Sequence, residues 1–225
     1  MNESFDAPLH GDRGSAAPPR AAVGLAIAIS RETGARGGGL ARRVAHRLGW
    51  QVYTGEHLEF LCATDAARQP VLDGVPAAAR DWVERRLAQL RADYGSDPDA
   101  DGGMPRLILA LAAQGPAVFV GRGAGFVLPA DGCLHVRVVA PLPNRIAHMA
   151  DFLRLTPTEA AEAVRTRDER RVEFLRRQFG HLPGDLYPFD LVLNSGRLDE
   201  ETGADTVLAA FNGKRDLVDP ESRLE

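Results

Sequence analysis

The chain has 225 residues, 44% hydrophobic and 26% charged, with a formal net charge of −4. That length suits one domain with a full core, and the composition is that of a globular protein. No apolar run approaches the roughly 20 residues that cross a bilayer, and the first 22 residues hold no apolar signal-peptide core, so neither a membrane protein nor a secreted one is expected and the chain reads as cytoplasmic.

In chain order, residues 1–20 read as a disordered leader rich in Gly, Pro, Ser and Ala. A mostly apolar run, Val23–Ile29, predicts a buried parallel strand, because it lacks the alternation of a half-exposed one. Glycines at 34, 37, 38 and 39 follow, then a helical pattern over Gly38–Leu48 with Leu40, Ala41, Val44, Ala45 and Leu48 on one face. A short strand at Gln51–Tyr53 completes a β-loop-α-β unit. Residues 56–114 read as a mainly helical insert, interrupted by the aspartate-rich loop Tyr94–Gly103. Strands are predicted at Ala117–Val120 and Cys133–Val139, and a helix at Leu142–Leu153. Thr156, Pro157 and Glu159 match N-cap, N1 and N3 of a capping box, which opens a lid helix running to about Phe179 within a lid of residues 156–180. A last strand, Phe189–Leu193, precedes a helix that Leu198 staples and Asp199 caps, and residues 213–225 read as a frayed tail. Strands alternating with helices in this way predict an α/β fold over residues 21–212, a parallel sheet covered on both faces.

Ligands of open parallel sheets bind beyond the carboxyl ends of the strands, and three constellations fall there. The first is Ser30-Arg31-Glu32-Thr33-Gly34-Ala35-Arg36-Gly37-Gly38-Gly39. Glycines let backbone amides approach a phosphate and the helix that follows aims its amino end at it, although a merely tight turn has the same composition. With Gly34 set three residues before the Walker lysine, Gly37 and Gly38 occupy the lysine and hydroxyl positions, which leaves Arg31 or Arg36 to supply the lost charge. The second is Gly121-Arg122-Gly123, where an arginine leaving a buried strand needs either an anion or a structural carboxylate. The third is on the lid helix, where Asp168 and Arg171 share a face with Arg167 beside them. Asp168 either orients Arg171 or accepts from an exocyclic amine, and Arg171 is placed to grip a phosphate.

Six arginines lie between Arg165 and Arg177, whereas Asp93–Asp101 carries four aspartates. A basic segment within an acidic chain suits a small anionic ligand rather than a nucleic acid. Cys62 and Cys133 form no close pair, and the six histidines show no HxxxH or HExxH spacing, so no dedicated metal site is expected.

The stretch AIAISRETGARGGGLARRVAHRLGWQVY resembles the opening of the cytidylate kinase-like family. FVGRGAGFVL is similar to its V-G-R-x-A segment, and Asp168-x-x-Arg171-x-x-Phe174 with Gly180 and FDLVLNSGRLDEETGADTVL to its lid and closing segment. The resemblance spans Leu25 to Phe211 and implies a P-loop NTPase-type sheet with a helical insert and a lid. It implies transfer of the γ-phosphoryl of ATP, bearing Mg²⁺, to a (d)CMP-like monophosphate or another small acceptor, with loss of turnover but retained nucleotide binding as the alternative. Arg31, Gly34, Arg36, Gly37, Gly38 and Gly39 would then hold the triphosphate, and Arg122, Asp168 and Arg171 the acceptor. Arg122, Arg171 and Arg167 would neutralise the transferring phosphoryl. Against the true cytidylate kinases, Gly123 replaces the aspartate of G-R-D, and Val164 the arginine four before Asp168.

Overall fold

A computed structural model describes residues 25–95, 103–180 and 186–218. Strand β1 (Ala26–Arg31) lies at the centre of a five-stranded sheet, and α1 (Gly37–Leu48) returns the chain to β2 (Gln51–Thr54) at one edge. Four helices follow: α2 (Gly55–Ala63), α3 (Asp65–Asp73), α4 (Ala77–Tyr94) and α5 (Met104–Gln114). Then come β3 (Ala117–Val120), the short α6 (Ala124–Val127), β4 (Cys133–Val139), α7 (Leu142–Leu153), α8 (Pro157–Phe179), β5 (Leu191–Asn194) and α9 (Glu200–Val218). The order across the sheet is β2-β3-β1-β4-β5 and all four pairings are parallel. This is an α/β fold, a parallel sheet with helices on both faces.

The central strands are mostly apolar because both faces of the sheet are covered, with His135 and Arg137 buried in β4 and polar residues at the strand ends. Ile27, Ile29, Val118, Val120, Leu134 and Val136 face one core, which α1 and α9 close with Leu40, Val44, Val207 and Phe211. Ala26, Ala28, Phe119 and Cys133 face the other, closed by Leu58, Leu87, Leu107, Ile108 and Val127 from α2, α4, α5 and α6. Phe119 is wholly buried, and truncating such a ring to alanine costs about 3–5 kcal/mol. Helices α7 and α8 pack on each other through Met149, Ala160 and Val164, and the far end of α8 returns Leu175 and Phe179 to the second core.

The structure shifts several boundaries. Strand β1 runs two residues beyond Ile29, because β4 is long enough to pair Ser30 with Arg137 and Arg31 with Val138; Val23 lies outside the described residues, as do residues 1–20 and most of the aspartate-rich loop. Helix α8 is unbroken, opened by the Thr156–Glu159 capping box. Helix α9 continues through the expected tail to Val218, since Lys214 Nζ anchors it on the Cys133 carbonyl (2.9 Å) and on Asp190 (2.6 Å). No helix among the described residues is long and apolar enough to cross a membrane.

Candidate functional site

The turn after β1 has one internal backbone bond, from the Ala35 amide to the Glu32 carbonyl (3.2 Å), and is otherwise held from outside. Gly34 has φ +83° and its Cα lies against the Arg145 backbone of α7, where a Cβ would meet the carbonyl. Only glycine satisfies both conditions. The Ser195 hydroxyl donates to the Ala35 carbonyl (2.8 Å), tying the turn to the end of β5. Arg36, exposed and left-handed at φ 56°, is the N-cap of α1, which has neither a capping side chain nor an acid in its first turn. Such an uncapped amino end favours an anion. Gly34, Arg36, Asn144 and the Ser195–Asp199 turn line a pocket of about 240 Å³ beside it.

Helix α8 is latched onto this turn. Asp168 accepts from the Thr33 amide (2.9 Å) and pairs with Arg145 (2.5 Å) and Arg171 (2.9 Å). Arg171 also donates to the Thr33 hydroxyl (3.2 Å), and Arg145 to the Thr33 and Ala140 carbonyls (3.3 and 3.1 Å). Glu32 closes the network, accepting from the Ala140 amide (3.1 Å) and pairing with Arg145 (3.4 Å) and Arg137 (4.0 Å). Burial lowers the pKa of Arg171, Asp168 opposes the shift, and the charges of Arg137, Arg122 and Arg145 reinforce it.

Across the crevice, Arg122 leaves β3 with φ 54°, pairs with Glu59 of α2 and lies over the Phe174 ring at 5.7 Å. Glu59, Met104, Arg122, Phe174 and Phe179 line a second pocket of about 230 Å³. Arg31 lies between the two groups. Its pKa falls to about 10, first through burial and then through the charges of Arg171 and Arg122, with Glu56 pulling the other way. The arginines remain charged at neutral pH but repel one another in a half-buried crevice, an arrangement that an anion would relieve.

Behind the turn, the Ser30 hydroxyl meets His135 Nε2 (3.0 Å) and His135 Nδ1 meets the Pro188 carbonyl (2.9 Å). A carbonyl only accepts, so Nδ1 carries the proton and Nε2 accepts from Ser30. Burial pushes this imidazole down to about 4, so it is neutral at pH 7. It supports β4 and does not face the crevice arginines.

The model of the cytidylate kinase-like family matches residues 26–197. The chain belongs to the cytidylate kinase-like family. It is 31% identical to a cytidylate kinase of Methanothrix thermoacetophila over 60% of this chain and 76% of that one, and 27% identical to a cytidylate kinase of Ignicoccus hospitalis over 54% and 70%. A uronate isomerase of Corynebacterium glutamicum is 32% identical over 44% of this chain, which spans only 20% of that relative's length. Among solved structures, an uncharacterized protein from Eubacterium ventriosum superposes with a TM-score of 0.59 at 17% identity, covering 84% of this chain and 98% of that one, a likeness of fold.

Within this cytidylate kinase-like chain, the residues singled out from the sequence do not form one set. Arg31, Arg122 and Arg171 come together within electrostatic reach. Arg167 does not join them: it is exposed and lines an open pocket with Thr158, Glu162, Thr166 and Arg170 on the outer side of α8. The four-residue spacing to Arg171 puts the two close on the helix, but only Arg171 turns beneath it. Gly39 is a packing glycine, since a Cβ there would strike the Glu200 carboxylate of α9. Arg145, Arg137 and Glu32 were not singled out. The one signal for Arg137 was its position inside the apolar strand Cys133–Val139, whereas nothing local marks Arg145.

Proposed function

We propose that this chain binds ATP on the glycine turn and moves its γ-phosphoryl group to a (d)CMP-like nucleoside monophosphate, or another small anionic acceptor, held by Arg122 and Arg171. The observation that carries the reading is the convergence of three arginines from β1, β3 and α8 beside an uncapped helix start, at the carboxyl ends of the strands. Two of these supports are strained: Arg36 and Arg122 are non-glycine residues with positive φ. Such backbone persists where its surroundings fix it, and it clusters at ligand sites.

The reaction needs little covalent help. An oxygen of the acceptor's phosphate, already anionic, attacks the γ-phosphorus, the bond to the β-γ bridging oxygen breaks, and ADP leaves with the electron pair. No general base is required, so the protein positions the two anions and offsets their repulsion. Arg171, oriented by Asp168, and Arg122, lying over Phe174, face the acceptor from opposite walls. The Phe174 side of the second pocket is apolar enough to take a base. The residues of the turn do not fit a protein-held magnesium: Gly38 offers no side-chain oxygen, the Thr33 hydroxyl is engaged by Arg171, and no metal-holding group of three His, Cys, Asp or Glu occurs among the described residues. Magnesium therefore belongs on the nucleotide, where it supplies charge neutralisation.

Gly37 at the lysine position favours a second reading, a nucleotide-binding module without turnover. A coupled ADP-release assay across a nucleoside-monophosphate panel, run beside calorimetric titration with Mg-ATP, separates the two. Release with one pyrimidine monophosphate supports the kinase. Binding without release supports the module, and the absence of both removes the phosphate site.

A further inference from the structure

We infer that Arg31 replaces the missing Walker lysine, delivering the positive charge to the triphosphate from the end of β1 rather than from the glycine turn. The inference rests on the reading of that turn as the phosphate site, and it decides between the two arginines, Arg31 and Arg36, that flank the turn.

The first observation is one of space. A Cβ added at Gly37 would lie 2.7 Å from the Arg31 Cβ and 3.0 Å from its Cγ. The stem of residue 31 therefore fills the volume through which a side chain at position 37 would leave the helix start. A side chain at 37 and a side chain at 31 compete for one space, which the Arg31 stem occupies and Gly37 leaves to it.

The second is direction. The Arg31 guanidinium rests on the backbone of Gly121, where any Cβ would overlap it, and Gly121 itself has φ +84° and donates its amide to the Ile29 carbonyl (3.0 Å). The ends of β1 and β3 are thus tied together beneath the Arg31 head, and it is held over the crevice between the turn and Arg122. Arg36 is unlike it: exposed, left-handed and lining the pocket on the far side of the turn.

The third is pairing. Arg122 has Glu59, Arg137 and Arg145 have Glu32, and Arg171 has Asp168. Among the described residues, no hydrogen bond or ion pair holds the Arg31 guanidinium, although the Glu56 charge is near enough to be felt. A partly buried cation next to two others, with no carboxylate in contact, costs stability in the free protein. Its five donors form a fork that grips two phosphate oxygens from above the turn, where a lysine would offer a point charge from within it.

The test uses the full chain, Mg-ATP and CMP, with titration calorimetry and thermal melting. Arg31→Met is expected to weaken Mg-ATP roughly ten- to a hundred-fold, to leave CMP affinity within about threefold, and to raise the melting temperature of the free protein. Arg36→Met is expected to weaken Mg-ATP less than Arg31→Met does, and an equal or larger loss overturns the inference. The double variant Arg31→Gly/Gly37→Lys removes the Cβ that a side chain at 37 would strike, moves the charge back into the vacated space and is expected to recover most of the lost triphosphate affinity. An Arg31→Met protein that melts below the parent makes Arg31 structural and overturns the inference, as does a loss confined to CMP or a folded double variant with no recovery. If the parent itself does not bind Mg-ATP, the phosphate-site reading fails, and this inference with it.

Discussion

Two groups of arginines flank one crevice and are built in opposite ways. Around Asp168, every charge is answered: Arg145 and Arg171 share the carboxylate, Glu32 takes Arg145 from the other side, and the Thr33 backbone is bonded on both its amide and its carbonyl. Around Gly121, Arg31 rests on backbone with no carboxylate in contact, and Arg122 shares a half-exposed Glu59 and an aromatic ring. The first group is a latch that fixes α8 on the glycine turn; the second has positive charge to spare. An arginine's role in this fold is therefore read from its counter-charge and not from its proximity to the glycines.

Removing one member of the latch is the strongest way to break this comparison. Arg145→Met leaves Asp168 and Glu32 short of a partner in a site where the arginine side chain is only 12% exposed, and a loss of about 3 kcal/mol is expected in urea denaturation. A loss below about 1 kcal/mol would show that the latch is not structural.

Acid should act through β4, on which the latch partly hangs. The His135 pKa is depressed to about 4 from an ordinary 6.5, so the unfolded chain binds a proton at a pH where the folded one does not. Stability is then full above pH 6.5 and falls as the pH drops toward 4, by about 3 kcal/mol in all. Denaturation curves measured across that window should show the slope in the parent, and His135→Gln should flatten it; an equal slope in both places the acid sensitivity elsewhere.

Arg171 belongs to both groups, so Arg171→Met should lose about 1–2 kcal/mol of stability and roughly tenfold in monophosphate affinity. A change in affinity alone would move it out of the latch. Arg122→Met sharpens the contrast: affinity for the monophosphate should fall roughly ten- to a hundred-fold, while stability stays within about 0.5 kcal/mol, because its pair with Glu59 is half exposed. Smallest of all, Arg167→Ala on the outer side of α8 should change neither measurement by more than about 0.5 kcal/mol. A marked loss of phosphate binding there would return Arg167 to the site.

Much of this architecture was legible because its causes are local. The Thr156–Glu159 box, with Pro157 at N1, carries its own start signal within four residues, and α8 begins there. The apolar runs of β3 and β4 coincide with their predicted bounds, since burial on both faces leaves no room for polar residues except His135 and Arg137. Where the cause was distant, the reading fell short. Residues 213–218, expected to fray, are helical because Lys214 reaches Cys133 and Asp190 on other elements. Arg145 was invisible because its partners Asp168 and Thr33 lie 23 and 112 residues away.

The sequence by itself determined the parallel α/β class, the family and the places where glycine turns and arginines meet strand ends. The class and those places follow from periodicity, capping and short-range backbone rules, which act over a few residues, while the family was read from the resemblance of its motifs. Only the tertiary structure decided what each arginine does. Arg145 is a clamp, Arg171 is shared, Arg167 is on the surface and Arg31 fills the space left by Gly37. The physical reason is that a charge acquires its role from whatever stands within about 4 Å of it, and the chain sets that neighbour only by folding.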